Sequence, residues 1–156
     1  MRLRLLAFSL VLMATPAAAQ KQQSPITFVV NLFEHFMAGD MDDYAERFAY
    51  PHGRVLGNQF SIVEERKVAL GTYELMRQTG WAYSKLNEVN VLEENAHSAL
   101  VRVNFDRFGN QGELIQKVTA YYTLVNEAGA WKIVNLMAVG QSLPGMQMES
   151  LGAVDS

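Results

Sequence analysis

Cysteine is absent from all 156 residues. That excludes disulfide staples, thiol nucleophiles and thiolate metal sites together. Only three histidines are present, His35, His52 and His97. They show no metal-ligand spacing, and none has a carboxylate at the i+4 position, so the sequence calls for no resident metal. Nor does it carry a cofactor motif. The formal net charge is −3 and there is no basic run, which excludes a nucleic-acid binder of ordinary type. Beyond the N-terminal segment, no apolar stretch approaches the ~20 residues that span a bilayer. Proline is limited to four residues, so helices and strands are rarely interrupted.

The N-terminal segment is informative. Arg2 and Arg4 precede an apolar run from Leu5 to Met13, and Ala17-Ala18-Ala19 follow Pro16. Cations that stay inside, an apolar core and small residues at a cut make a removable secretory signal ending at Ala19. The run is too short for a retained anchor, so no stable membrane insertion is expected after cleavage. The style of the signal points to a bacterial protein, periplasmic or secreted. A single domain over residues 20–139 is expected to follow, with a flexible tail over 140–156.

Ser24-Pro25 reads as an N-cap followed by proline at the first helical position. Ile26, Val29, Val30, Phe33, Phe36 and Met37 recur at helical spacing, and Gly39 suits the helix end. Asp40 can cap a second short helix carrying Met41, Tyr44, Ala45 and Phe48 on its inner side, ended by Pro51 and Gly53. Short strands are expected at Arg54–Leu56 and Gln59–Val63, joined by the Gly57-Asn58 turn. A third helix is expected from about Val63 to Gln78, with Glu64-Glu65 at its positive end.

The remainder alternates with period two. Strands are expected over 81–93, bulged near Asn87, and over 97–106, 113–126 and 131–139. In the second of these, Val101, Val103 and Phe105 alternate against Arg102 and Asn104. Turns fall at 108–112 and 126–129. Helices first and antiparallel strands later indicate an α+β fold.

Three stretches carry a resemblance. Phe36-Met37-Ala38-Gly39-Asp40-Met41-Asp42 looks like a helix–Gly-Asp–helix junction, and Phe48-Ala49-Tyr50-Pro51 like the exit into a first strand. Asn126-Glu127-Ala128-Gly129-Ala130-Trp131-Lys132-Ile133 looks like a final hairpin whose last strand opens on tryptophan. In this order they resemble the NTF2-like superfamily, which includes SnoaL-like proteins and ketosteroid isomerases, over roughly residues 25–140. The resemblance implies a cone: three N-terminal helices packed against a curved, mostly antiparallel sheet. It also implies a pocket for a small apolar molecule and a homodimer formed through the outer sheet face.

The resemblance does not extend to steroid isomerase chemistry. Aligned on Gly39-Asp40, the three isomerase positions fall at Leu32, about Leu56 and near Tyr121. The first two, which the family fills with a tyrosine and the base aspartate, are apolar here, and the third is where it places the second acid. The Asp–Arg–Asp set of limonene epoxide hydrolases finds Arg102 and Asp106 but no second aspartate. Pocket candidates are therefore Tyr50, His52, Arg54, Arg102, Asn104, Tyr121 and Asn135, with the concave strand face left open. Three readings remain. The first is a non-catalytic binder of a small, mostly apolar molecule. The second is a lyase, isomerase or hydrolase using His52 with Tyr50 or Tyr121. The third is a dimeric interaction protein using the outer sheet face.

Overall fold

The computed structural model describes residues 23–139. The expected signal at 1–19 and tail at 140–156 lie outside the described residues. Three helices and six strands form an α+β cone with a curved mixed sheet.

Helix α1 spans Pro25–Ala38. The Ser24 hydroxyl accepts from Thr27 N at 3.2 Å, satisfying a backbone donor that the helix cannot. Gly39 closes the helix with φ 73, a left-handed conformation that glycine adopts without penalty. The buried face differs from the expected one. Phe28, Val29 and Leu32 are buried, whereas Ile26 is 45% exposed. Helix α2 is one short segment, Met41–Glu46. Asp40 sits at its N-cap position without a side-chain cap bond, because its carboxylate accepts from His35 Nδ1 instead.

Strand β1 runs Phe48–Leu56 and β2 Gln59–Val63. The first strand is therefore longer than the sequence suggested. Phe48 already pairs with Ile133, so it belongs to the sheet and not to the second helix. The Tyr50–Pro51 peptide is cis, within a stretch where the β1 register shifts against its neighbour. Helix α3 spans Arg66–Gln78, starting later than expected because Val63 is buried in β2 opposite His52.

Strands β3 (Trp81–Glu94), β4 (Ser98–Gly109), β5 (Leu114–Glu127) and β6 (Ala130–Val139) form an antiparallel meander. The sheet order is β2-β1-β6-β5-β4-β3, with β1 and β6 parallel. Register shifts in β3, including one between Leu86 and Glu88, are bulges of the kind that bend a strand.

Period-two alternation puts one row of each strand beneath α1. Val101, Val103 and Phe105 of β4, Val118, Ala120, Tyr122 and Leu124 of β5, and Ile133 of β6 pack with Phe28, Val29 and Leu32. Burying each large apolar side chain contributes about 1.5–3 kcal/mol before the entropy of ordering is set against it. Trp131 Nε1 donates to Gln23 O at 2.8 Å, tying the start of α1 to the last strand. A second cluster joins Met76 and Trp81 to Phe36, Met37 and Tyr73. Among the described residues no helix is long and apolar enough to cross a membrane.

Candidate functional site

The concave sheet face and the helices enclose a partly open cavity of about 100 Å3. Its helical wall comprises Leu32, Phe33 and Phe36 of α1, Tyr44 of α2, and Ala69, Thr72 and Met76 of α3. Strand β1 contributes Phe48, His52, Arg54 and Leu56. Strands β4 and β5 contribute Phe105, Arg107, Ala120 and Tyr122, while Leu136 and Ala138 come from β6. Alternation explains the set. Once Phe105 points inward, so does Arg107, and the inward turn of Ala120 carries Tyr122 with it.

The wall is mainly hydrocarbon, with a few polar groups set in it. His52 is 5% exposed and Arg54 is 7% exposed. His52 Nδ1 lies 3.0 Å from Ala49 O, and a carbonyl can only accept. Nδ1 therefore carries the hydrogen, leaving Nε2 as the lone-pair nitrogen of the neutral ring. Burial pushes this imidazole below its ordinary value. The Ala49 bond opposes that shift, and Arg54 adds to it. The ring packs on Phe48 at 4.7 Å and on Tyr50 at 5.3 Å between centroids.

Arg107 donates from Nη1 to Gln116 Oε1 at 2.8 Å and stands over Phe105, 5.4 Å from the ring centroid. Burial pushes its guanidinium down to about 10, while Tyr122 and Tyr44 act in the opposite sense, so it remains charged at neutral pH. Burial also lowers Arg54, against an upward influence from Tyr44. The Tyr122 phenol is pushed up to about 12 by burial, with Arg107 opposing. Tyr44 is raised further, again mainly by burial. Both phenols are neutral hydrogen-bond donors at neutral pH. No Asp or Glu lies among the described lining residues.

Of the seven pocket candidates, two line this cavity, His52 and Arg54. Tyr50 does not line it. Its hydroxyl donates to Ala45 O at 3.1 Å and its ring supports His52 edge-on. Arg102, Asn104, Tyr121 and Asn135 have to be moved to the convex face, because they alternate with the buried rows. There Arg102 pairs with Tyr121 across the strands and approaches Glu88 at 3.5 Å. Asn104 donates to Glu88 Oε2 at 2.8 Å and accepts from Thr119 Oγ1 at 2.9 Å. Asn135 lies beside Gly53, where an added Cβ would stand 2.6 Å from its Oδ1.

The polar cavity residues missing from the seven candidates include Arg107, Tyr122 and Tyr44. The alternation of Val101, Val103 and Phe105 already continues to Arg107, and that was the available signal. Leu32 and Leu56, the two apolar isomerase positions, both line the cavity, whereas at the third it is Tyr122 and not Tyr121 that does.

Away from the cavity, the fold brings His35, Asp40 and Asp43 together, with His35 Nδ1 at 3.2 and 3.9 Å from the two carboxylates. Arg47 Nη2 lies 3.0 Å from His35 Nε2. A guanidinium can only donate, so Nε2 accepts and Nδ1 carries the hydrogen given to Asp40. The imidazole lone pair is thus engaged by Arg47, and the cluster is complete as a hydrogen-bonded helix junction.

Comparison with known proteins adds the family. No curated protein matches the chain. Solved structures match along most of it. A protein of unknown function with a cystatin-like fold from Nostoc punctiforme aligns with TM-score 0.61 and 14% identity, over 76% of this chain and 90% of that one. An NTF2-like protein with a cystatin-like fold from Novosphingobium aromaticivorans gives 0.58 and 12%, over 83% and 85%. A proposed ketosteroid isomerase from Shewanella frigidimarina gives 0.59 and 15%, over 76% and 97%. At such identities the likeness establishes the fold alone. The family model described as NTF2-like protein (DUF6841) matches residues 26–141, well over half of the chain, and the protein belongs to that family.

Proposed function

We propose that the domain binds a small, mostly apolar molecule inside its cone and performs no chemistry on it. The supporting observation is the cavity itself: mainly hydrocarbon walls from three helices and six strands, with a few polar groups set in them. Leu32 and Leu56 stand where the resemblance puts an isomerase's helix tyrosine and its base aspartate, so the cavity offers no carboxylate at the base position. Native mass spectrometry of the protein purified from its own source tests this. A small extra mass, lost on denaturation, is the expected result. A bare species, together with no thermal stabilisation by any of a panel of small apolar compounds, overturns it.

One observation favours a second reading, an enzyme using His52. Its Ala49 bond fixes one neutral tautomer, and the ring lies in a cavity that also holds Tyr44 and Tyr122. Those two phenols take the place of Tyr50 and Tyr121 as hydrogen-bond donors. Chemical conversion of a bound compound, abolished in His52→Gln, would replace the first reading with this one.

A third property concerns the outer sheet face. Phe60 is 67% exposed, Ile62 48% and Val139 51%, all on the convex side of β2 and β6. Such a patch supports pairing of two copies. The N-terminal pattern of Arg2, Arg4, an apolar run and Ala17–Ala19 supports export, and N-terminal sequencing of the mature protein should begin at Gln20.

A further inference from the structure

Resting on the cone-binding reading above, we propose that the ligand is a small hydroxylated hydrocarbon, a phenol or an alcohol, whose O–H donates to Nε2 of His52. The imidazole lines the cavity and is buried, at 5% exposure. Its Nδ1 donates to Ala49 O at 3.0 Å, so Nε2 carries the lone pair. Among the described residues nothing donates to that lone pair. Phe48, packed on the ring, has no polar side-chain atom, and the Tyr50 hydroxyl is committed to Ala45 O. The ring edge away from Ala49 thus brings an unpartnered acceptor to the cavity.

A buried acceptor without a donor carries the full cost of its desolvation. The imidazole is held in its accepting form. Burial lowers its pKa most, against the Ala49 bond, and Arg54 lowers it further. A ketone, an ether or a carboxylate has acceptors only and leaves Nε2 unmet. A hydroxyl donates, and its oxygen can accept in turn from a phenol. Tyr44 and Tyr122 stay protonated in the same cavity and supply such donors. A protonated amine would donate too, but it would bring its charge into a cavity that already holds the charged Arg107.

The wall and the volume set the hydrocarbon body. Phe33, Phe36, Phe48 and Phe105 all line the cavity. An apolar cavity of ~150 Å3 accommodates benzene. The cavity here, about 100 Å3 and partly open, suits a single ring or a short branched chain.

The test uses the mature full-length protein at neutral pH and probes that exchange a methyl for a hydroxyl. Phenol is compared with toluene, and benzyl alcohol with ethylbenzene, by NMR titration. In a cavity without an acceptor the hydrocarbon binds more tightly in each pair, because the hydroxyl loses its water. In the unaltered protein, the hydroxyl compound of at least one pair is expected to bind at least as tightly as its hydrocarbon partner. In His52→Leu the ratio for that pair is expected to shift about tenfold toward the hydrocarbon. The nitrogen resonance of His52 Nε2 is expected to move upfield with the hydroxyl compound, as a lone pair accepts a hydrogen bond, and far less with the hydrocarbon. If His52→Leu fails to fold by circular dichroism, the order within the pairs and the nitrogen resonance decide on the unaltered protein. Tighter binding of the hydrocarbon in both pairs overturns the hydroxyl assignment and leaves the cone-binding reading intact. An unchanged ratio in folded His52→Leu, or an unmoved nitrogen resonance, also overturns it. Failure of every probe, hydrocarbons included, to bind at millimolar concentration overturns both readings.

Discussion

Arg107 and Tyr122 lie on the same concave face from adjacent strands, and each changes the other's ionisation. The guanidinium draws the phenol down from where burial alone would put it, and the phenol holds the guanidinium up. Burial dominates for both. Tyr122 should therefore keep its proton until about pH 12. In an alkaline absorbance titration, exposed tyrosines ionise near about 10. Tyr122→Phe should leave that early rise unchanged and remove only a late component. A diminished early rise in the variant would show that the phenol is solvated.

The inner face of the domain is set by β4, β5 and one side of α1, and not by every apolar residue of the helix. Leu124 is fully buried, whereas Ile26 is 45% exposed. Leu124→Ala should cost about 2–5 kcal/mol in urea unfolding, since the lost contacts leave a cavity. Ile26→Ala should stay within about 0.5 kcal/mol. Comparable losses in the two variants would contradict the orientation of α1.

These two faces show what the sequence could and could not disclose. The Ser24-Pro25 cap, the Gly39 stop and the Gly57-Asn58 turn are local chemistry, and they fixed element ends nearly to the residue. The bulge near Asn87 was legible because a two-residue period breaks there. The start of β1 was not, since Phe48 joins the sheet only by pairing with Ile133, far along the chain. The site suffered from the same lack of long-range information. Arg102 and Arg107 look alike as isolated residues, but five positions separate them, so they stand on opposite faces. Extending the Val101–Phe105 alternation two residues further would have placed Arg107 inside. What no local pattern supplies is which face is concave, because the sheet's curvature and the position of α1 decide that.

Asn135, once a pocket candidate, has a structural neighbour instead. A Cβ on Gly53 would stand 2.6 Å from Asn135 Oδ1 on the convex face. Gly53→Ala should destabilise the domain by about 1–3 kcal/mol, the usual range for overpacking. In an Asn135→Ala background most of that loss should vanish. A double-mutant cycle measured by denaturant unfolding reads the coupling directly, and additive losses would place the clash elsewhere.

Phe60 and Ile62 leave an apolar edge on the outer face of β2, next to Val55 and Met137 by register. If two copies associate there, Phe60→Lys should convert a dimer into a monomer in light scattering behind size exclusion. Its circular dichroism should be unchanged, because the side chain makes little contact within its own domain. A variant that remains dimeric would remove this face from the interface.

His52 gives the domain a pH dependence of definite sign. Its folded-state value lies below the ordinary 6.5, chiefly through burial. Between that lowered value and 6.5 the unfolded chain binds the proton and the folded one does not. Stability is therefore highest above about 6.5 and falls as the pH drops through the folded value. Arg54, buried in the same cavity wall, disfavours a second positive charge and acts in the same direction. Acidification changes the charge of other groups as well, so the informative quantity is a difference between proteins. Thermal melts from about pH 7.5 to about pH 5.5 should show a steeper loss in the unaltered protein than in His52→Gln, whose amide cannot be protonated. Parallel curves would mean that the imidazole is solvated in the folded state. The tautomer fixed by Ala49 would then have no bearing on the cavity's chemistry.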